Sequence, residues 1–166
     1  MTQDEIYDQV FEKYKTIFPD MKHGSGGLPD AQGEGTSDVD ICIFSRDYAS
    51  LGKYFPPDTE IDSGSPNELR PYTIYKLRGY PREVNVYCTD GDWWRWGYLH
   101  RQTELALRER FPVLATEAFA YKKSHRISTV ETWAYILGLG ENWCEVLLDT
   151  EESLSIAEAV SKDRAS

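Results

Sequence analysis

At 166 residues, with 40% hydrophobic and 13% aromatic side chains, the chain is too apolar for intrinsic disorder and has the length of one domain. A formal net charge of -10 argues against general affinity for a nucleic-acid backbone, which needs clustered Lys and Arg, and no apolar run is long enough to cross a bilayer. The opening Met1-Thr2-Gln3-Asp4-Glu5 lacks the basic patch and apolar stretch of a secretory signal, so a cytoplasmic protein without membrane association is expected. Cys42, Cys88 and Cys144 are far apart among apolar neighbours, which points to buried thiols, not to a disulfide framework or a zinc site.

Along the chain, Ile6, Val10, Phe11, Tyr14, Ile17 and Phe18 predict an amphipathic helix over residues 3–18, ending near Pro19. From His23 to Gly35 five glycines and one proline mark a loop, followed by a strand at Asp38-Val39-Asp40-Ile41-Cys42-Ile43-Phe44. A short helix is expected over 46–54 and an exposed loop from Pro56 to Pro66. Strands at 71–78 and 83–88, joined by Gly79-Tyr80-Pro81, form a hairpin or near neighbours. Beyond Asp90 the pattern is helical: Asp92 is placed to cap a helix that breaks near Phe111-Pro112, and another helix reaches about Lys123. Ser128 and Glu131 have capping-box spacing, and Gly138 and Gly140 supply a stop. Much of the negative excess lies between Glu141 and Glu158, in a segment expected to be helical. The chain thus reads as an α+β protein, a small mixed sheet flanked by helices with a helical C-terminal part. Residues 1–140 form the domain, and 141–166 are an acidic tail of the same domain.

The chemistry concentrates on the first long strand. Asp38 and Asp40 are separated by one residue, so both carboxylates project from one face, and two like charges held this close call for a cation. Hard oxygen ligands suit Mg2+ or Mn2+, which commonly take further ligands from the phosphates of a nucleoside triphosphate. Gly24, Ser25 and Gly26 let a backbone approach those phosphates and offer NH and hydroxyl donors. The bland alternative is that Ser37-Asp38 caps a turn, Asp40 is an exposed strand residue and the glycines only loosen a loop.

The Gly-Ser pair, the dozen residues 26–37 and the Asp-hydrophobic-Asp strand resemble the nucleotidyltransferase superfamily. Short later matches at Asn85-Val86-Tyr87, Leu107-Arg108, Phe111-Pro112 and Tyr121-Lys122 are most similar to its GrpB family, although Ser37-Asp38 stands where that family commonly has Lys-Pro. The resemblance implies a third carboxylate on a neighbouring strand. Here that position holds Asn85, an amide unable to take a proton, while Glu83 lies two residues earlier and is either its substitute or only the solvated start of the strand. Arg70 and Lys76 are the basic candidates to meet triphosphate charge, the alternative for each being a solvated strand edge. Trp93, Trp94, Trp96 and Tyr98 are expected to pack in the core, and His23, read as loop-exposed, receives no role.

The expected activity is transfer of a nucleoside monophosphate from a nucleoside triphosphate to an acceptor hydroxyl not identified by the sequence. Asp38, Asp40 and Glu83 would be catalytic, with Asp38 and Asp40 on the metal; Gly24, Ser25, Gly26, Arg70, Lys76 and Asn85 would bind the nucleotide. The rival is a nucleotide-binding or regulatory module that lost turnover with Asn85. A third possibility is an interaction protein that uses the acidic tail.

Overall fold

The computed structural model describes residues 1–24, 38–45, 48–64, 72–89 and 91–166. Two compact units emerge, one built from the described residues of 1–24 and 38–98, the other from residues 99–166.

The first unit is built on a sheet of strands β1 (Lys22–His23), β2 (Val39–Phe44), β3 (Glu60–Gly64), β4 (Tyr72–Leu77) and β5 (Val84–Thr89), in the order β1-β2-β5-β4-β3. β2 and β5 run parallel and the other pairs antiparallel, which makes the sheet mixed, as the sequence predicts. On one face Val39, Ile41 and Ile43 of β2 and Val84, Val86 and Cys88 of β5 join Tyr75 and Leu77 of β4 in the core. Helix α1 (Gln3–Tyr14) brings Ile6, Val10 and Tyr14 to that core, at helical spacing. Full burial of an aliphatic side chain of this kind contributes about 1.5–3 kcal/mol.

A capping box starts α1: Thr2 Oγ1 accepts from the Glu5 N–H at 3.1 Å and Glu5 Oε2 from the Thr2 N–H at 2.9 Å. The helix stops at Tyr14, earlier than the apolar pattern suggests. Pro19 disfavours helical backbone just before it, so Phe18 reaches the core from a turn and Ile17 is 44% exposed.

The stretch expected to be an exposed loop contains β3. This strand sits at the sheet edge with one neighbour and exposes Glu60, Ile61 and Asp62, so it lacks the apolar alternation that identifies a half-buried strand. The short helix expected over 46–54 is a 3-10 turn at Tyr48–Tyr54. His23 is not loop-exposed. It lies in β1 with its side chain 10% exposed, stacked on Tyr7 at 5.0 Å and paired with Asp4 at 2.9 Å.

Helix α2 (Gly91–Arg110) continues into the second unit. The side chains of Asp92, Trp93, Trp94 and Trp96 lie outside the described residues. α2 ends before Phe111, whose backbone (φ -128°, ψ 66°) yields to the proline that opens α3 (Pro112–His125). Ser128 caps α4 (Thr129–Ile136), accepting from the Glu131 N–H at 3.2 Å, and Gly138 turns the chain at φ 65°. The short α5 (Trp143–Val146) precedes α6 (Thr150–Ala165), so the acidic segment is helical as expected. Leu107, Leu114, Ala118, Trp133, Leu137, Leu147 and Leu154 form this unit's core. Two polar side chains inside are hydrogen-bonded, His100 Nε2 lying 3.0 Å from the Cys144 carbonyl and Ser153 Oγ donating to the Val146 carbonyl at 2.9 Å, whereas Trp133 Nε1 is buried without a hydrogen-bond partner among the described residues.

Candidate metal and nucleotide site

The sheet face opposite α1 carries the acidic pair. Parallel register sets Asp40 beside Asn85, and antiparallel register sets Asn85 beside Lys76 and Lys76 beside Glu60. Residues directly opposite in a ladder share a face, so these four form one polar row across β2, β5, β4 and β3.

Asp38 joins the row from the chain just before β2. Its Oδ2 accepts from Asn85 Nδ2 at 2.8 Å, while its backbone carbonyl accepts from the buried Gln3 Nε2, also at 2.8 Å. The backbone of β2 is tied down on both sides, by Val39 N–H to the Glu83 carbonyl at 2.8 Å and Gly24 N–H to the Asp40 carbonyl at 2.7 Å. An ionised carboxylate only accepts, so Asn85 must turn its NH2 toward Asp38 and its Oδ1 the other way. That Oδ1 is buried and has no hydrogen-bond partner among the described residues. Carboxylates from Asp38 and Asp40 and a neutral amide oxygen from Asn85 are hard donors of the kind Mg2+ or Mn2+ takes, so the residues fit such an ion. Among the described residues no group of three or more His, Cys, Asp and Glu side chains gathers at a metal-binding spacing.

Glu83 instead meets Lys76, with Oε1 4.0 Å from Nζ, and its side chain is 57% exposed. Lys76 and Glu83 line an open cleft of about 450 Å3 together with Glu60, Arg78, Tyr80 and Arg82. Of the basic candidates, Lys76 thus stands in the polar row, whereas Arg70, Ser25 and Gly26 lie outside the described residues.

Gly24 packs closely against β2. A Cβ there would sit 3.1 Å from both the Asp40 carbonyl oxygen and Cys42 Sγ. Cys42 lies on the same strand face as Asp40, under Gly97 of α2. Burial pushes its thiol up to about 12, with the neighbouring Asp40 adding to the effect, so it is a neutral packing group and not a nucleophile. Sequence reasoning missed Gln3, whose part in holding Asp38 depends on a contact across 35 positions that no local pattern signals.

Among the described residues the chain is a mixed α+β protein with a five-stranded mixed sheet and flanking helices. Among solved structures it is similar to the structure of the GLD-2/RNP-8 complex, with a TM-score of 0.50 and 13% sequence identity over 88% of this chain. The likeness is one of fold, and the chain spans about half (52%) of that chain's length. No family model matches the sequence, and no curated protein matches it significantly. No helix among the described residues is long and apolar enough to cross a membrane.

Proposed function

We propose that the chain transfers a nucleoside monophosphate from a nucleoside triphosphate to an acceptor hydroxyl, the α–β phosphoanhydride bond breaking and pyrophosphate leaving, at a divalent-metal site held by Asp38 and Asp40. The observation that carries this reading is the Asp38–Asn85 hydrogen bond combined with the β2–β5 register, which gathers carboxylate and amide oxygens on one sheet face. The nucleotidyltransferase-like fold supports it, as does the Gly-Ser and Asp-hydrophobic-Asp pattern of the sequence.

When bound, Mg2+ or Mn2+ would offset charge on the phosphoryl oxygens. The chain's own residues supply position and field. Asn85 fixes the Asp38 carboxylate by its amide, Gln3 and Gly24 hold the strand backbone, and Lys76 places a cation in the same row. Ser25, Gly26 and Arg70 are assigned to the phosphates on sequence grounds alone. Asn85 cannot accept the proton of the acceptor hydroxyl, so Glu83 is the carboxylate assigned to that task. The GrpB-like assignment rests on the short sequence matches, and the free thiols Cys42, Cys88 and Cys144 suit the reducing cytoplasm.

A second reading, a nucleotide-binding module without turnover, is favoured by Asn85 at the third position and by the pairing of Glu83 with Lys76. Incubation with labelled nucleoside triphosphates, Mg2+ and a panel of hydroxyl acceptors separates the two. Transfer that disappears in Asp38→Asn and Glu83→Gln supports the enzyme; metal-dependent nucleotide binding without transfer supports the module.

A further inference from the structure

The second unit carries a surface that the candidate site does not use. Tyr121 of α3 stacks on His125 with ring centroids 3.8 Å apart and planes within 15°, and on Tyr135 of α4 at 3.9 Å and 11°. Two rings cannot share one face of a third at that separation, so the three form a column with Tyr121 in the middle. Its ends are open: Tyr135 is 60% exposed and His125 is exposed as well. The His125 ring is held in place, Nδ1 lying 3.0 Å from the Tyr121 carbonyl and 2.9 Å from Ser124 Oγ.

The charge beside the column opposes that of the whole chain. Between Glu117 and Glu131 there is no acidic residue, while Lys122, Lys123 and Arg126 add positive charge to a chain of net charge -10. No ion pair among the described residues engages any of these three cations. Arg126 keeps its guanidinium in left-handed backbone (φ 53°, ψ 43°), where a helix end ordinarily uses glycine. Cations near a helix C-terminus offset its dipole, but that role does not account for exposed stacked rings next to them.

We propose that this end of α3 binds a single-stranded nucleic-acid segment, its bases extending the ring column and its phosphates meeting Lys122 and Arg126, each the next residue after a ring of the column. The combination of open π-faces with local positive charge selects such a strand over an acidic peptide, which has the charge without the bases. The site is a local patch, compatible with an acidic chain that lacks general backbone affinity, and it does not depend on the metal reading above.

The test is fluorescence anisotropy of the full chain with labelled RNA and DNA strands of about ten nucleotides, the span of one such surface. Binding is expected at low salt, with a log–log salt slope of roughly -1.4 for two phosphate contacts. Tyr135→Ala should weaken it about five- to a hundred-fold, as loss of one stacking ring does, and Tyr135→Phe should restore it. The double variant Lys122→Glu, Arg126→Glu should flatten the salt slope, and Asp38→Asn should leave affinity unchanged, which separates this inference from the proposed transfer site. Absence of binding to every strand overturns the proposal, as does wild-type affinity in Tyr135→Ala or equal displacement of the strand by polyglutamate.

Discussion

Replacing Asn85 by Asp probes the acidic pair most sharply. The amide donates to Asp38 Oδ2 at 2.8 Å from a side chain that is 5% exposed. The exchange removes a hydrogen bond to a charged acceptor, about 1.5–3 kcal/mol, and sets a carboxylate against a carboxylate. At an effective dielectric of about 20, unit charges roughly 3 Å apart repel by about 5 kcal/mol, and the exposure of Asp38 reduces this to about half. The metal-free variant should therefore lose roughly 4–5.5 kcal/mol, a measurable share of the stability of a small protein. A divalent cation held by the added carboxylate should restore about 2.7 kcal/mol once its concentration is a hundredfold above its dissociation constant. Urea denaturation of both proteins at neutral pH, in EDTA and in Mg2+, measures the gap. Equal stability in EDTA would show that the Asp38–Asn85 contact carries no weight, and a variant no more stable in Mg2+ than in EDTA would show that these side chains do not share an ion.

Three further outcomes follow from the geometry. Gly97→Ala places a Cβ 2.4 Å from Cys42 Sγ, an overlap expected to destabilise by about 1–3 kcal/mol and to be relieved in the double variant with Cys42→Ala; additive losses in urea denaturation would refute the contact. Burial lowers the pKa of His100 below its ordinary 6.5, only partly opposed by the Cys144 carbonyl, so the unfolded chain binds the proton more readily than the folded one. The stability due to neutral His100 is thus complete above pH 6.5 and is lost as pH falls below it, by at most about 1.4 kcal/mol per pH unit, and His100→Gln should flatten that dependence in thermal unfolding. Cys42 and Cys88, whose thiols burial pushes up to about 12, should resist alkylation in the native protein at pH 8 while the half-exposed Cys144 reacts first; mass spectrometry of labelled peptides would contradict this by finding Cys42 modified before unfolding.

How much was legible beforehand depended on whether a residue's role was local. The alternation in Val39-Asp40-Ile41-Cys42-Ile43 places buried and polar faces correctly because one face packs on α1, and Pro112 and Ser128 mark helix starts through backbone chemistry that needs no partner. β3 was hidden because an edge strand with both faces largely exposed has no apolar signature. His23 reads as loop beside five glycines, yet pairing with β2 and stacking on Tyr7 bury it. In the candidate site, the closeness of Asp38 and Asp40 follows from their spacing, whereas the hydrogen bond from Asn85, 47 positions away, and the turning of Glu83 to Lys76 are tertiary facts. The same holds for the column of Tyr121, His125 and Tyr135. Its i, i+4 pair is visible in the sequence, but the third ring comes from another helix.

The most direct measurement is a titration of the purified protein with Mn2+, followed by electron paramagnetic resonance of the free ion. One equivalent should bind at sub-millimolar concentration, should be displaced by Mg2+, and should be lost in Asp38→Asn and Asp40→Asn while Glu83→Gln retains it. Failure of the wild-type chain to take up Mn2+ at millimolar concentration, or undiminished uptake by both aspartate variants, would contradict a metal held by the β2 carboxylates.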